Sequence, residues 1–513
     1  MPVARRQLLK GALGGAALAA LDLGGLALFA GSAKAELLGA AEPFSRAALA
    51  AAAEALSKKP FSDRRAEMPE ALTRMTYDGY RAMRMGPDFP IPLSEAEIFN
   101  MDPLLAGFVF RQPVDLFFVE GETARRIQFD RSKYVFDPPA DVQAPDGDIP
   151  FSGFRLRTEI NNPGVKDEFA VFQGASYFRA IGKGETYGLS ARGLAINTGK
   201  PSGEEFPFFR AFYIEKPRKD AKAVVIHALL DSPSTTGVYR ITVRPGEATQ
   251  TDVELTLFPR TDIDTIGFAP FSSMFLFDSM NRSAFDDYRD AVHDSDGLLM
   301  QTGAGEWLWR PLYNPPRLEV SAFVDTTPRG FGLVQRKRTY PDYQDAEARY
   351  QTRPTAWVEP IGDWGTGAVV LFEIPTDSET NDNVVAYWQP DQAIVAGEPF
   401  SLTYRIHWDS DTPVRAAGPR VHATRHGRNF FNTDELFVID YFVGDAAPAN
   451  VAVDVQCSSG KVKNVTHYMT PEPGIMRVSF ELDPDGAESI ELRATLAAEG
   501  LEQGETWLFR WTA

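Results

Sequence analysis

Gly237-Val238-Tyr239-Arg240-Ile241-Thr242-Val243 runs into Pro245-Gly246, and Val253-Glu254-Leu255-Thr256-Leu257-Phe258 runs into Pro259. Apolar and polar side chains alternate, the period of a strand with one face turned inward. Branched and aromatic residues suit a pleated surface, and the Pro and Gly that follow close each run. The same pattern recurs outward. Leu116-Phe117-Phe118-Val119 stops at Glu120-Gly121, and Ala223 to Leu229 is a short buried run. Arg317 to Phe323 and Ser401 to Trp408 read as further strands. Short strands at close spacing, with no βαβ alternation, predict an all-β sandwich or barrel. One helix is expected near the start, over residues 44–58, where an Ala-rich stretch ends in Lys58-Lys59-Pro60.

Four strand signals follow residue 430: Phe437 to Val443, Met476 to Leu482, Ser489 to Leu496 and Thr506 to Trp511. That density fits a small Ig-like sandwich of about 100 residues. Between the two groups, 409–429 is rich in Arg, His, Gly and Pro and shows no period. It reads as a domain boundary or a long functional loop. The expected division is 36–412 as a large β-sandwich, 413–429 as a linker and 430–513 as the Ig-like domain.

Composition removes several functions. The 513 residues carry 52 basic and 70 acidic side chains, a net charge of -18. Nucleic acid is therefore not an expected partner, since phosphate contacts need clustered Lys and Arg. A lone Cys457 excludes an intramolecular disulfide and a Cys-based zinc site. Six His leave little for a metal centre, so neither metal nor cofactor is expected. Gly182-Lys183-Gly184 lacks the third glycine of a dinucleotide loop, and Walker A and Gly-x-Ser-x-Gly sequences are absent. Asp294-Ser295-Asp296-Gly297 lacks the later Glu of a calcium loop.

The N-terminus reads as an address. Arg5-Arg6 opens a twin-arginine pattern, a Gly/Ala/Leu stretch follows, and Ala33-Lys34-Ala35 offers a cleavage site. Asp22 argues against a retained anchor. Cleavage after Ala35 would leave 48 positive and 69 negative groups, a net of -21. A soluble exported protein is expected.

Special residues are densest from His293 to Trp388, which holds five of the eight tryptophans: Trp307, Trp309, Trp357, Trp364 and Trp388. Carboxylates interleaved with Trp and Tyr suit carbohydrate chemistry, with aromatic faces under sugar rings and Asp, Asn and Arg on the hydroxyls. Core packing explains each Trp equally well. Most single Asp residues belong to turns, and Asp345 and Glu347 read that way. Glu379-Thr380-Asn381-Asp382-Asn383 lies between two strand-like runs, where a turn or a catalytic loop fits.

At these blocks the sequence resembles the glucans biosynthesis proteins G and D (OpgG/OpgD, also MdoG/MdoD). The matching stretches are His-Asp-Ser-Asp-Gly-Leu from His293, Gly-Glu-Trp-Leu-Trp-Arg-Pro-Leu from Gly305, Asn-Pro-Pro-Arg-Leu from Asn314, Pro-Arg-Gly-Phe-Gly-Leu from Pro328, Arg-Pro-Thr-Ala-Trp-Val from Arg353 and Glu-Ile-Pro-Thr-x-x-Glu-Thr-Asn-Asp-Asn from Glu373. Phe151-Ser152-Gly153-Phe154-Arg155 extends the match toward the N-terminus. The twin-arginine signal leans toward the D type. The resemblance implies a periplasmic protein with a galactose-mutarotase-like sandwich and an Ig-like domain. It implies action on β-1,2-linked glucan as an inverting glucanase. A transglycosylase, or a non-catalytic glucan-binding scaffold serving a membrane glucan synthase, are the alternatives. It assigns the general acid to Asp382 and the base to Asp294 through a relay, with Glu379 and Tyr350 as further site positions. It also implies that a loop near the domain junction closes the cleft. An acid at Asp382 is expected to be buried, which would keep its carboxyl protonated.

Overall fold

A computed structural model describes residues 38–86, 91–136, 148–444 and 449–513. The stretch read as an export signal, 1–35, lies outside them. No helix among the described residues is long and apolar enough to cross a membrane.

The chain is an all-β sandwich. One sheet has fifteen strands and a second has eleven. The alternating runs supply the first: Val224–Asp231, Thr235–Arg244, Thr249–Pro259 and Phe400–Asp409 pair antiparallel in that order. Their inward residues, among them Ile226, Ile241, Val253 and Ile406, share one core with Phe154, Phe172, Phe271 and Leu371 of the second sheet. Gly153 is fixed by closeness: a Cβ there would lie 1.9 Å from the carbonyl oxygen of Phe172 on the neighbouring strand. The expected helix forms over Arg46–Ser57, where Ser45 caps it by accepting from the Ala48 amide at 3.0 Å. Leu49 and Ala53 pack on Val238 and Phe258.

A four-stranded sheet, built from Arg420–Arg428, Glu435–Phe442, Lys461–Met469 and Ile475–Asp483, forms the C-terminal unit with Ala449–Cys457, Ser489–Glu499 and Glu505–Thr512. Those last three belong to the fifteen-stranded sheet. Glu505–Thr512 runs parallel to Trp307–Pro311, with Trp507 opposite Trp309. The two units thus share a sheet instead of hanging on a tether.

This corrects the expected linker. Of 413–429, residues 420–428 form a strand, leaving a short loop before Arg420. A bulge between Val421 and Ala423 shifts the register, so the buried residues are Val421 and Thr424. An odd spacing erases the period-two signal.

One ion pair clamps the seam. Arg336 donates to both carboxylate oxygens of Glu505, at 2.9 and 2.7 Å, and Glu505 also accepts from the Val421 amide at 2.8 Å. The guanidinium lies 3.5 Å from the Trp309 ring centre. Breaking a buried pair leaves the partner charge uncompensated. Glu505→Ala should therefore lower stability by about 3 kcal/mol in urea unfolding, with 489–512 losing hydrogen-exchange protection first. An unchanged transition would show that the shared sheet alone holds the seam.

Candidate functional site

Glu379 and Asp382 sit on the connection between strands Thr366–Glu373 and Val384–Pro390. Two asparagines pin that loop. Asn383, 2% exposed, accepts from the Phe275 amide at 2.8 Å and donates to the Phe275 and Ile374 carbonyls at 2.9 and 3.0 Å. Asn314 accepts from the Thr376 amide and donates to the Thr376 and Leu276 carbonyls. At the base of the loop, buried Glu373 takes hydrogen bonds from Arg310 at 2.9 Å and the Tyr313 amide at 2.8 Å. The Asn of this motif is thus a structural bolt. Asp382 beside it is left open, its side chain 38% exposed, with Arg179 4.0 Å away.

Asp294 lies across the same short strand. Phe275, which Asn383 grips, pairs with His293, and the Asp294 amide donates to the Met274 carbonyl at 2.8 Å. Asp294 is buried and ion-paired to Arg353. The Arg353 guanidinium stacks over the Tyr350 ring at 4.1 Å. The Tyr350 hydroxyl donates to Glu379 at 2.9 Å. Arg289 donates to Glu379 at 2.7 Å and to Asp345 at 2.9 Å. One continuous constellation therefore holds Asp294, Arg353, Tyr350, Glu379 and Arg289. Burial pushes the Asp294 carboxyl above the usual carboxylate range. Arg353 opposes that shift, and the charge of Asp382 adds to it, so the two Asp residues feel each other. Burial also raises the Tyr350 phenol, keeping it a donor near neutral pH.

The expectation of a buried Asp382 is overturned: Asp294 is the buried member and Asp382 stands at the surface.

Asp296, two residues after Asp294, does something else. It accepts from the Arg336 and Lys337 amides and, at 2.6 Å, from the Lys337 ammonium, which also reaches Asp278 at 3.1 Å. Asp278, His293 and Asp296 offer ligand atoms within 4.8 Å of one another. The Lys337 ammonium is the cation that sits among them. That cation holds the Asp296 carboxyl well below its ordinary value despite burial. Burial lowers His293, which stays neutral beside Phe275 and Tyr343.

The five tryptophans expected as sugar platforms are core residues. Trp307, Trp309 and Trp357 fill the seam with Phe437 and Trp507, and Trp364 and Trp388 lie in the main core. None is more than 7% exposed, so no ring face is free for a sugar. Conversely, Arg289, Arg353 and Arg179 join the site with no motif of their own. Arg353 opens the Arg-Pro-Thr-Ala-Trp-Val stretch, while Arg289 meets Glu379 across 90 positions and gives no local signal. Asp345 caps the Glu347 and Ala348 amides, as its turn reading predicts, yet it also anchors Arg289.

The Asp296 network carries a pH signature. Its folded-state pKa lies below the unfolded value of about 4, so its stabilisation is complete above pH 4 and is lost as pH falls through the depressed value. Urea unfolding of Asp296→Asn should show a loss of about 3 kcal/mol at pH 7 that narrows below pH 4. A pH-independent loss would mean the carboxylate charge is not what matters.

A family model described as periplasmic glucan biosynthesis protein, MdoG, matches residues 44–511. Glucans biosynthesis protein G of Shewanella frigidimarina (strain NCIMB 400) is 48% identical over 464 residues, covering 90% of this chain and 83% of the relative. Its namesake from Shewanella sp. (strain W3-18-1) is 47% identical, covering 90% and 85%. That of Vibrio cholerae serotype O1 (strain M66-2) is 46% identical with the same coverage. All three carry the G designation, so the lean toward the D type gains nothing from them. The chain belongs to the MdoG family of periplasmic glucan biosynthesis proteins.

Proposed function

We propose that this protein acts in periplasmic glucan biosynthesis, after twin-arginine export, as an inverting glycoside hydrolase on the β-1,2-glucan backbone. Its relatives are named for glucan biosynthesis. The observation that carries the enzymatic reading is the contrast between two coupled carboxylates. Asp382 is open to a ligand on a bolted loop, whereas Asp294 is enclosed behind Arg353. Cleavage of a glycosidic bond needs one group to protonate the leaving oxygen and another to activate water. Asp382 can reach a glycosidic oxygen directly, and a bound glucan would cover it. Asp294 takes the base role through intermediaries, with Tyr350 and Glu379 beside it to position hydroxyls. Each step must be short for the relay to work; the 2.9 Å bond from the Tyr350 hydroxyl to Glu379 fixes these two as positioning groups, and the proton from water would pass through a substrate hydroxyl to Asp294. With a relay, the usual carboxylate separation of inverting enzymes does not apply.

Incubation with linear β-1,2-glucan should shorten the polymer, and Asp382→Asn should slow this by at least about 100-fold. Products lighter than their linear counterparts by one water would indicate cyclisation by transfer instead. Sugar binding with no product from either protein would indicate a scaffold.

The pH profile tests the base. Asp294 must be ionised to act, and Arg353 is the group that holds its raised pKa down. Arg353→Met should therefore move the acidic limb of kcat/KM to higher pH. A limb that stays in place, or moves down, removes Asp294 from the base role.

A further inference from the structure

A crevice of about 630 Å³ opens at the seam between the two units. None of Asp294, Asp382, Glu379 or Tyr350 lines it. Its size suits a small molecule more than a bare ion. In a chain of net charge -18, five Lys and Arg side chains line it among the described residues, against three carboxylates. Ion pairing removes only part of that excess. Arg336 is held by Glu505, and Lys183 by Glu247 at 2.7 Å. Arg415 faces Asp411 at 3.7 Å, beyond hydrogen-bond reach. Arg338 and Arg420 have no carboxylate partner among the described residues. Arg338 donates to the Arg353 carbonyl and, at 3.0 Å, to the Thr355 hydroxyl, both neutral. Arg420 rests its guanidinium over the Phe442 ring at 5.5 Å.

We propose that this crevice is an oxyanion site, which takes the phosphate or carboxylate group of a small molecule between Arg338 on the larger unit and Arg420 on the C-terminal one.

A charge drawn away from water is costly without a counter-charge, and this cavity has two such cations in its wall. The third carboxylate, Glu185, does not make up the difference. It accepts from the Gly182 amide at 2.7 Å, and burial pushes its carboxyl up to about 7. Near neutral pH it carries only part of a charge. Burial likewise holds Arg338 below its ordinary value, as expected of a guanidinium whose desolvation nothing offsets. A guanidinium presents a planar fork of N–H donors that matches the oxygens of phosphate and carboxylate. A cationic ligand would meet repulsion from both arginines, and a neutral one would leave both uncompensated. The two come from opposite sides of the seam. Arg338 follows the strand Gly330–Val334, and Arg420 opens the strand Arg420–Arg428. An anion held by both would add a second tie across the seam beside the Arg336–Glu505 pair. The site stands on this charge arrangement and does not depend on the hydrolase reading.

The full chain is titrated by calorimetry at low ionic strength with inorganic phosphate, with glucose 6-phosphate and with glucose. Both phosphates should bind and glucose should not. Arg338→Gln and Arg420→Gln should each weaken phosphate about tenfold, and Arg420→Lys should recover most of the loss. Arg428→Gln removes an arginine held by Glu435 that does not line the crevice, and it should change nothing. Circular dichroism checks each variant, and the outlying Arg420 keeps the test decisive if Arg338→Gln does not fold. Tighter binding of glucose 6-phosphate than of phosphate would support an oxyanion carried on a sugar, and equal binding a free anion. No phosphate binding by the native chain would overturn the proposal. So would equal losses in Arg420→Gln and Arg428→Gln, which would trace binding to overall charge. Glucose bound as well as glucose 6-phosphate, and weakened by the same variants, would overturn it in favour of a neutral ligand.

Discussion

A charge removed from water needs a partner charge, and this chain meets that requirement at its centre with three consecutive cations. Arg336, Lys337 and Arg338 follow the strand Gly330–Val334 and diverge. Arg336 crosses the seam to Glu505. Lys337 goes inward to Asp296 and Asp278, beside the short strand Val292–His293 that precedes Asp294. Arg338 turns to the Arg353 carbonyl and borders the seam crevice. Domain docking, the floor of the site and the crevice wall thus hang on one tripeptide. A shift in its backbone would be felt at all three places together.

How much of this the sequence discloses depends on the range of each interaction. The long alternating runs form where read, because a strand buried on one face must repeat at period two. Thr235–Arg244 and Thr249–Pro259 contain the two quoted runs. Residues 420–428 hide their strand behind a bulge and a surface of Arg and His. The tryptophans mislead for a different reason. Aromatic density beside carboxylates looks the same whether the rings meet a sugar or each other. Only packing separates the two, and here Trp307 stacks on Trp357 at 5.9 Å. Arg336-Lys337-Arg338 carries no local sign of its acidic partners, one of which lies 169 positions away.

The His-Asp-Ser-Asp-Gly block shows the limit most sharply. Asp294 and Asp296 are chemically identical, two residues apart and both buried. Residues at that spacing on an extended chain face the same way, so sequence offers nothing to divide them. Their partners do. Asp296 meets a lysine ammonium and two backbone amides, which satisfy it completely and drive its pKa down. Asp294 meets a single arginine and feels Asp382, and its pKa goes up. One is a structural counter-ion; the other, under the proposed function, is poised to exchange a proton.

That poise also explains why the two carboxylates of the candidate site are so unlike. Were both exposed, water would screen each from the other and neither would be tuned. Were both buried, one would have to stay protonated, and the loop bearing Asp382 would need a cover for its polar tip. With Asp294 enclosed and Asp382 open, the coupling is weak until a ligand displaces water from the mouth. Under the proposed function, a neutral sugar that covers Asp382 would displace that water and place a glycosidic oxygen at the outer carboxyl. The asymmetry of burial thus gives the two carboxylates different access to a ligand, and the bolts at Asn383 and Asn314 fix the loop that carries the outer one.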